Sequence, residues 1–117
     1  MQNYKDLKVW NKAHLFTLDV YKVLQQFPKE EVFNITSQIK RATVSIPTNI
    51  AEGCGRFTQK DLASFLQIAL GSSHEVEYLL ILSKDLEYLN NQQFESLTKE
   101  VSEIKGMLIS LIKKVRL

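Results

Sequence analysis

The sequence predicts an all-α protein, an antiparallel up-down bundle of four helices. Three observations carry that expectation. Apolar residues recur at steps of three and four along nearly the whole chain, the period of amphipathic helices. Proline, glycine and asparagine punctuate the chain into four such segments. Two prolines and four glycines in 117 residues leave little of the turn material that a β-rich fold needs. A chain of this length fits one domain, residues 1–117, and a domain of that size buries roughly two-thirds of the surface its unfolded chain exposes.

The first segment is predicted to run from about Tyr4 to Gln26. Leu7, Trp10, Ala13, His14, Thr17, Tyr21 and Leu24 step along one face, with Leu18 beside them. Phe27-Pro28 ends it, because the residue before a proline avoids the α region. The second opens at Pro28-Lys29-Glu30-Glu31, a proline in the first turn followed by acids. Ile35, Ile39, Ala42, Ile46 and Ile50 form its stripe. Pro47 removes a backbone donor inside it and predicts a kink, and Gly53-Cys54-Gly55 stops it.

The third segment begins at Thr58-Gln59-Lys60-Asp61, a capping box with Asp in place of Glu. Leu62, Phe65, Leu66, Ala69, Val76, Leu79, Leu80, Leu86 and Leu89 carry it. From Thr58 to Leu89 it would extend roughly 50 Å. Gly71-Ser72-Ser73 marks either a close approach of another helix or a tolerated glycine. The fourth starts near Asn90-Asn91, a good N-cap pair. Phe94, Leu97, Val101, Ile104, Leu108, Leu111 and Val115 alternate steps of three and four, a heptad seam centred on Ile104. Lys113, Lys114 and Arg116 suit the negative end of its dipole. The third and fourth segments also carry apolar residues beyond one stripe: Tyr78, Ile81 and Leu82, then Met107, Ile109 and Ile112. Such residues mark a second contact surface and suggest self-association.

Net charge is +2 but unevenly spread. Residues 1–57 hold eight basic and five acidic side chains, residues 58–89 two and five, and residues 90–117 five and three. The single cysteine, Cys54, excludes an intrachain disulfide and any zinc site built on several cysteines, which suits a reducing compartment. The opening Met1-Gln2-Asn3-Tyr4-Lys5-Asp6 has no signal-peptide core. The longest apolar run, Tyr78 to Leu82, falls far short of the roughly 20 residues of a membrane span. A cytoplasmic protein with no membrane partner is expected.

No catalytic or metal constellation assembles from the motifs, so neither an enzyme nor a cofactor is expected. His74-Glu75 would need a second histidine where Tyr78 stands. The carboxylate that a di-iron bundle places three residues before a histidine is Asn11 for His14 and Gly71 for His74. Cys54 has no histidine nearby and sits at a helix C-terminus, where the dipole disfavours a thiolate. Gly53-Cys54-Gly55-Arg56 lacks the Gly-Lys-Ser/Thr of a phosphate loop and reads as a chain reversal, with glycine allowing positive φ.

Two sets remain. Lys40, Arg41, Arg56 and Lys60, with Lys113, Lys114 and Arg116 as possible additions, are the candidates for a basic surface that binds RNA or DNA. Asn49, Glu52, Arg56, Ser72 and Glu75 are the candidates for a polar network: a ligand site, or hydrogen bonds that fix helix register or a subunit interface, the structural reading being preferred.

Phe33-Asn34-Ile35-Thr36-Ser37-Gln38-Ile39-Lys40-Arg41-Ala42 and Ser45-Ile46-Pro47-Thr48-Asn49-Ile50-Ala51-Glu52-Gly53-Cys54-Gly55-Arg56 resemble the hallmark segment of the bacterial 23S rRNA-intervening sequence proteins. Phe65 to Glu77 resembles that family's second motif, and Tyr4 to Trp10 also fits. The resemblance covers nearly the whole chain. It implies a four-helix bundle assembled into a homopentameric ring, so that the first partner is the chain itself. Family members were first noticed in insertions within large-subunit rRNA genes. A related branch assists the reverse transcriptases of diversity-generating retroelements through a basic surface, which adds nucleic acid and such an enzyme as possible partners. Most members have no assigned role.

Overall fold

The computed structural model describes residues 2–116 and contains four α-helices: α1 Lys8–Leu24, α2 Ile35–Cys54, α3 Gln59–Asp85 and α4 Asn91–Arg116. Single 3-10 turns at Tyr4–Asp6 and Lys29–Glu31 precede α1 and α2, and no strand occurs among the described residues.

The start of α1 is later than the apolar period suggests. Asn3 Oδ1 accepts from the Lys5 amide at 3.0 Å and caps the short turn. Leu7 then adopts an extended conformation (φ −84°, ψ 127°), which separates that turn from α1. The buried face also differs. Val9, Ala13, Phe16, Val20 and Leu24 enter the core, whereas Leu18 and Tyr21 are exposed and Trp10 is half-buried between Tyr4 and His14. α1 carries two apolar stripes, and its neighbours cover the one that contains Phe16.

α2 likewise begins after its predicted start. Pro28 is extended (ψ 142°), and Asn34 (φ −114°, ψ −113°) breaks the chain between the turn and the helix. The predicted stripe Ile35, Ile39, Ala42, Ile46 and Ile50 is buried throughout, and Pro47 lies within the helix. The corner after α2 uses glycine differently from expectation. No glycine among the described residues has positive φ. Gly53 is instead a point of close approach, since a Cβ there would lie 2.9 Å from Phe65 Cβ and 3.0 Å from Leu62 Cδ1.

Thr58 Oγ1 accepts from the Asp61 amide at 3.1 Å and starts α3 as its sequence predicts. The helix stops at Asp85, short of Leu89, because Glu87 turns into the left-handed region (φ 66°). The Tyr88 amide then bonds the Ser83 carbonyl, and the Glu87 amide bonds that of Lys84, both at 2.9 Å. This pair of reversed bonds closes a helix end that usually takes glycine. Leu86 is left exposed, and α3 is shorter than predicted by about a turn. Asn90 and Gln93 form a reciprocal cap on α4. The Gln93 amide donates to Asn90 Oδ1 at 2.7 Å, and the Asn90 amide donates to Gln93 Oε1 at 3.1 Å.

In α4, Leu97, Val101, Ile104 and Leu108 are buried as the heptad predicts, but Ile112 completes the row while Leu111 and Val115 are half-buried. A straight helix of 3.6 residues per turn drifts off a 3.5 repeat, which brings Ile112 inward. α1 packs on α2 and α4, and α3 packs on α2 and α4. The contacts that tie these pairs are specific. Ser45 meets Ser72, and Gly53 meets Phe65; Glu77 meets Lys105, and Lys84 meets Phe94; Lys12 meets Glu103, and Tyr21 meets Lys40; just past the end of α1, Gln26 meets Gln93. All four helices contribute to one core of aliphatic side chains with Phe16 and Phe27.

Candidate functional site

The five residues of the polar set divide into two groups. Asn49 Nδ2 donates to the Ser45 carbonyl and to Ser45 Oγ, each at 2.8 Å. Ser45 Oγ lies 2.8 Å from Ser72 Oγ. Asn49 and Ser72 are therefore joined through Ser45, which pins α2 to α3 across a half-buried seam. Sequence reasoning missed Ser45, although its place one helical turn before Asn49 is the signal that could have found it. Glu52, Arg56 and Glu75 are exposed and lie outside this chain of bonds. Arg56 stacks on the Phe65 ring with its guanidinium carbon 4.7 Å from the centroid, so its charge is held at the α2–α3 corner.

The basic set also separates. Lys40 and Arg41 stand on the outer side of α2, and Arg56 and Lys60 lie beyond its far end, about 20 Å along the helix axis. Lys40 reaches over the Tyr21 ring, Nζ to centroid 5.2 Å. With Arg41, Val44, Thr48, Asn49 and Glu52 these residues line a groove of about 450 Å³ on the α1–α2 side. Lys60 instead faces the end of α4. It shares a groove of about 570 Å³ with Gln59, Ser64, Lys114 and Arg116. A third groove, of about 600 Å³, runs between the start of α1 and α4 and is floored by Leu7, Val9, Met107 and Leu111.

Cys54 is 2% exposed, and burial raises its thiol pKa. His14 stacks on Trp10, centroids 5.3 Å apart, and His74 is exposed on α3. Among the described residues no three His, Cys, Asp or Glu side chains gather as a metal site, and no helix is long and apolar enough to cross a membrane.

The most perturbed acid lies at the α1–α4 seam. Glu100 is raised to about 7, chiefly by burial, then by its hydrogen bond to Asp19 and the charge of Asp19; Lys12 opposes the shift and Glu103 adds to it. Its Oε2 is buried with no donor in reach. Two facing carboxylates bond only when one keeps a proton, which accounts for the orphaned oxygen and adds to the rise that burial causes. Nearby, Lys12 Nζ pairs with Glu103 Oε2 at 2.8 Å.

The surface holds an asymmetry in apolar residues. On α3, Leu62, Leu66, Ala69, Val76 and Leu80 are buried, while Ile68 and Tyr78 on the opposite side are 51% and 59% exposed. Gly71 lies between them, and a Cβ built there meets nothing within 4 Å. The expected surplus on Tyr78 and Ile81 is exposed, and so is Ile109, but Ile112 belongs to the core and Leu82 and Met107 are half-buried. On α1 the exposed apolar residues are Leu15, Leu18 and Tyr21.

Residues 5–110 match the family model described as 23S rRNA-intervening sequence protein. Among solved structures the chain is similar to a protein of unknown function from the S23 ribosomal protein family of Bacteroides thetaiotaomicron. The two are 33% identical with a TM-score of 0.84, over 90% of this chain and 95% of that one. A comparison with curated proteins finds no match.

Proposed function

The chain belongs to the 23S rRNA-intervening sequence protein family, and from that premise we propose that it is a non-catalytic, self-assembling protein: an antiparallel up-down bundle that builds a homopentameric ring. The antiparallel order is supported by the contacts between helices, which climb one helix as they descend the next: Gly53 with Phe65, then Ser45 with Ser72; Lys84 with Phe94, then Glu77 with Lys105. The observation that carries self-assembly is α3. Its apolar residues lie on both the core side and the solvent side, the pattern of a helix buried from two directions. The lone buried thiol of Cys54 supports a reducing, cytoplasmic setting.

Size-exclusion chromatography with light scattering tests this reading, on protein purified without nuclease and followed at 260 and 280 nm. The expected result is a mass about five times the 13.5 kDa chain with a protein-like absorbance ratio. A monomer at all concentrations refutes it.

A second reading rests on the groove at the start of α3. Lys60, Lys114 and Arg116 share it beside the positive end of the α3 dipole, an arrangement suited to phosphate oxygens. On that reading the assembly is an accessory protein that binds RNA or DNA. Excess absorbance at 260 nm that salt removes supports it. Binding that is absent or independent of salt rejects it.

A further inference from the structure

Two unlike surfaces of this chain have matching chemistry. The first is the outward stripe of α3, where Ile68, Gly71, Glu75 and Tyr78 recur at steps of three and four and are all exposed. α3 is the acidic helix, with Asp61, Glu75, Glu77 and Asp85 against Lys60 and Lys84. Within the stripe the one charge is Glu75. Gly71 leaves a gap in it, a place where a second backbone can come close without displacing any atom of this chain.

The second surface is the α1–α2 groove. Tyr21 and Val44, 41% and 37% exposed, give it apolar walls, and Lys40 and Arg41 stand along it against one acid, Glu52. Its volume, about 450 Å³, admits an aromatic side chain. Ser45 and Asn49 also line the groove, and Ser45 bonds across to Ser72 of α3, so the groove opens on the outer face of α2 beside the stripe, and both face away from the core. One copy cannot close its own stripe onto its own groove.

We infer that the outward stripe of α3 in one copy seats in the α1–α2 groove of the next, with Tyr78 against Val44 and Tyr21 and with Glu75 beside Lys40 and Arg41. The inference rests on the self-assembly reading and names its surfaces. A contact between two different patches is head-to-tail, so each copy offers one patch to either neighbour, the kind of contact that a ring requires when the rotation between neighbours closes. It gives Lys40 and Arg41 a partner in protein, leaving Lys60, Lys114 and Arg116 as the basic groove still open to solvent.

The test measures mass by light scattering across a dilution series for the wild type, Arg41→Glu, Glu75→Arg, the double charge swap, and Gly71→Gln, with far-ultraviolet circular dichroism as the folding control. All these positions are exposed, so helicity is expected to persist. Each single variant is expected to raise the concentration of half-assembly by about tenfold or more, through like charge or a filled gap, and the double swap to bring it back. A wild type that assembles while the single variants assemble equally well overturns the assignment of surfaces alone. Single variants that weaken assembly without recovery in the swap overturn the pairing of Glu75 with Arg41. A wild type that never assembles overturns both this inference and the ring. Loss of bound nucleic acid in Arg41→Glu at unchanged mass makes the groove a nucleic-acid site and also overturns it.

Discussion

Gly53→Ala and Gly106→Ala make the same chemical change in two helices and are expected to act in opposite directions. Glycine costs about 1 kcal/mol against alanine in a helix interior, so propensity alone makes both changes stabilising. At Gly106 nothing stands within 4 Å of the added methyl, and the gain is expected to be about 0.5–1 kcal/mol. At Gly53 the methyl would lie 2.9 Å from Phe65 Cβ, 3.0 Å from Leu62 Cδ1 and 3.3 Å from the Leu62 carbonyl oxygen. Leu62 can swing its methyl away. Phe65 Cβ and the carbonyl move only with α3 itself, so the change overpacks the α2–α3 crossing, which typically costs 1–3 kcal/mol. Gly53 is also next to the last residue of α2, where fraying shrinks the propensity gain. Net destabilisation of about 1–2 kcal/mol is expected. Urea unfolding followed by circular dichroism reads it, with protein concentration held fixed because assembly shifts the midpoint. With a slope of about 1–3 kcal/mol per molar urea, the midpoint falls by roughly half a molar or more. A Gly53→Ala protein as stable as Gly106→Ala would show that α2 and α3 are not in contact there, and the argument from close approach would fail.

Three further expectations follow from single side chains. Ile104 is fully buried at the centre of α4, so Ile104→Ala is expected to cost about 2–5 kcal/mol in urea unfolding; a loss within about 0.5 kcal/mol would place that face on the surface. Asn90→Ala removes the acceptor for the Gln93 amide and half of the reciprocal cap, an expected loss of about 1 kcal/mol by the same assay, and Asn90→Asp should retain most of the stability. Glu100 binds its proton more tightly in the folded state, from an ordinary value of 4.5 to about 7. Its contribution is therefore full below about pH 4.5 and is lost as the pH rises through 7. Thermal melts of the wild type should lose stability across that window, and Glu100→Gln should lose markedly less; identical pH profiles for the two proteins would remove Glu100 from the account.

The sequence was most legible where one signal acted alone. α2 has a single apolar stripe, and all five of its residues are buried. Thr58 caps α3 because its hydroxyl has an amide three residues on to accept from, a local relation written in the spacing. α1 was misread because it offers two stripes, and only the packing of α2 and α4 decides that Phe16 goes in and Leu18 stays out. The end of α3 was missed for another reason. Glu87 occupies a conformation that residue type disfavours, and reversed bonds from Tyr88 and Glu87 hold it there. The polar set was half legible: hydrogen bonds within α2 and across to Ser72 follow helical spacing, whereas the separation of Lys40 from Lys60 depends on how far α2 extends between them.

Cys54 gives the molecule a built-in gauge of local opening. It is the only thiol in the chain, buried at the end of α2, where the Gln2 amide donates to its carbonyl at 3.1 Å. A thiol held out of water and above its ordinary pKa does not react until the surrounding structure parts. The rate at which a small alkylating reagent consumes it thus reports how much of the time that end of the bundle stands open, in the unaltered protein.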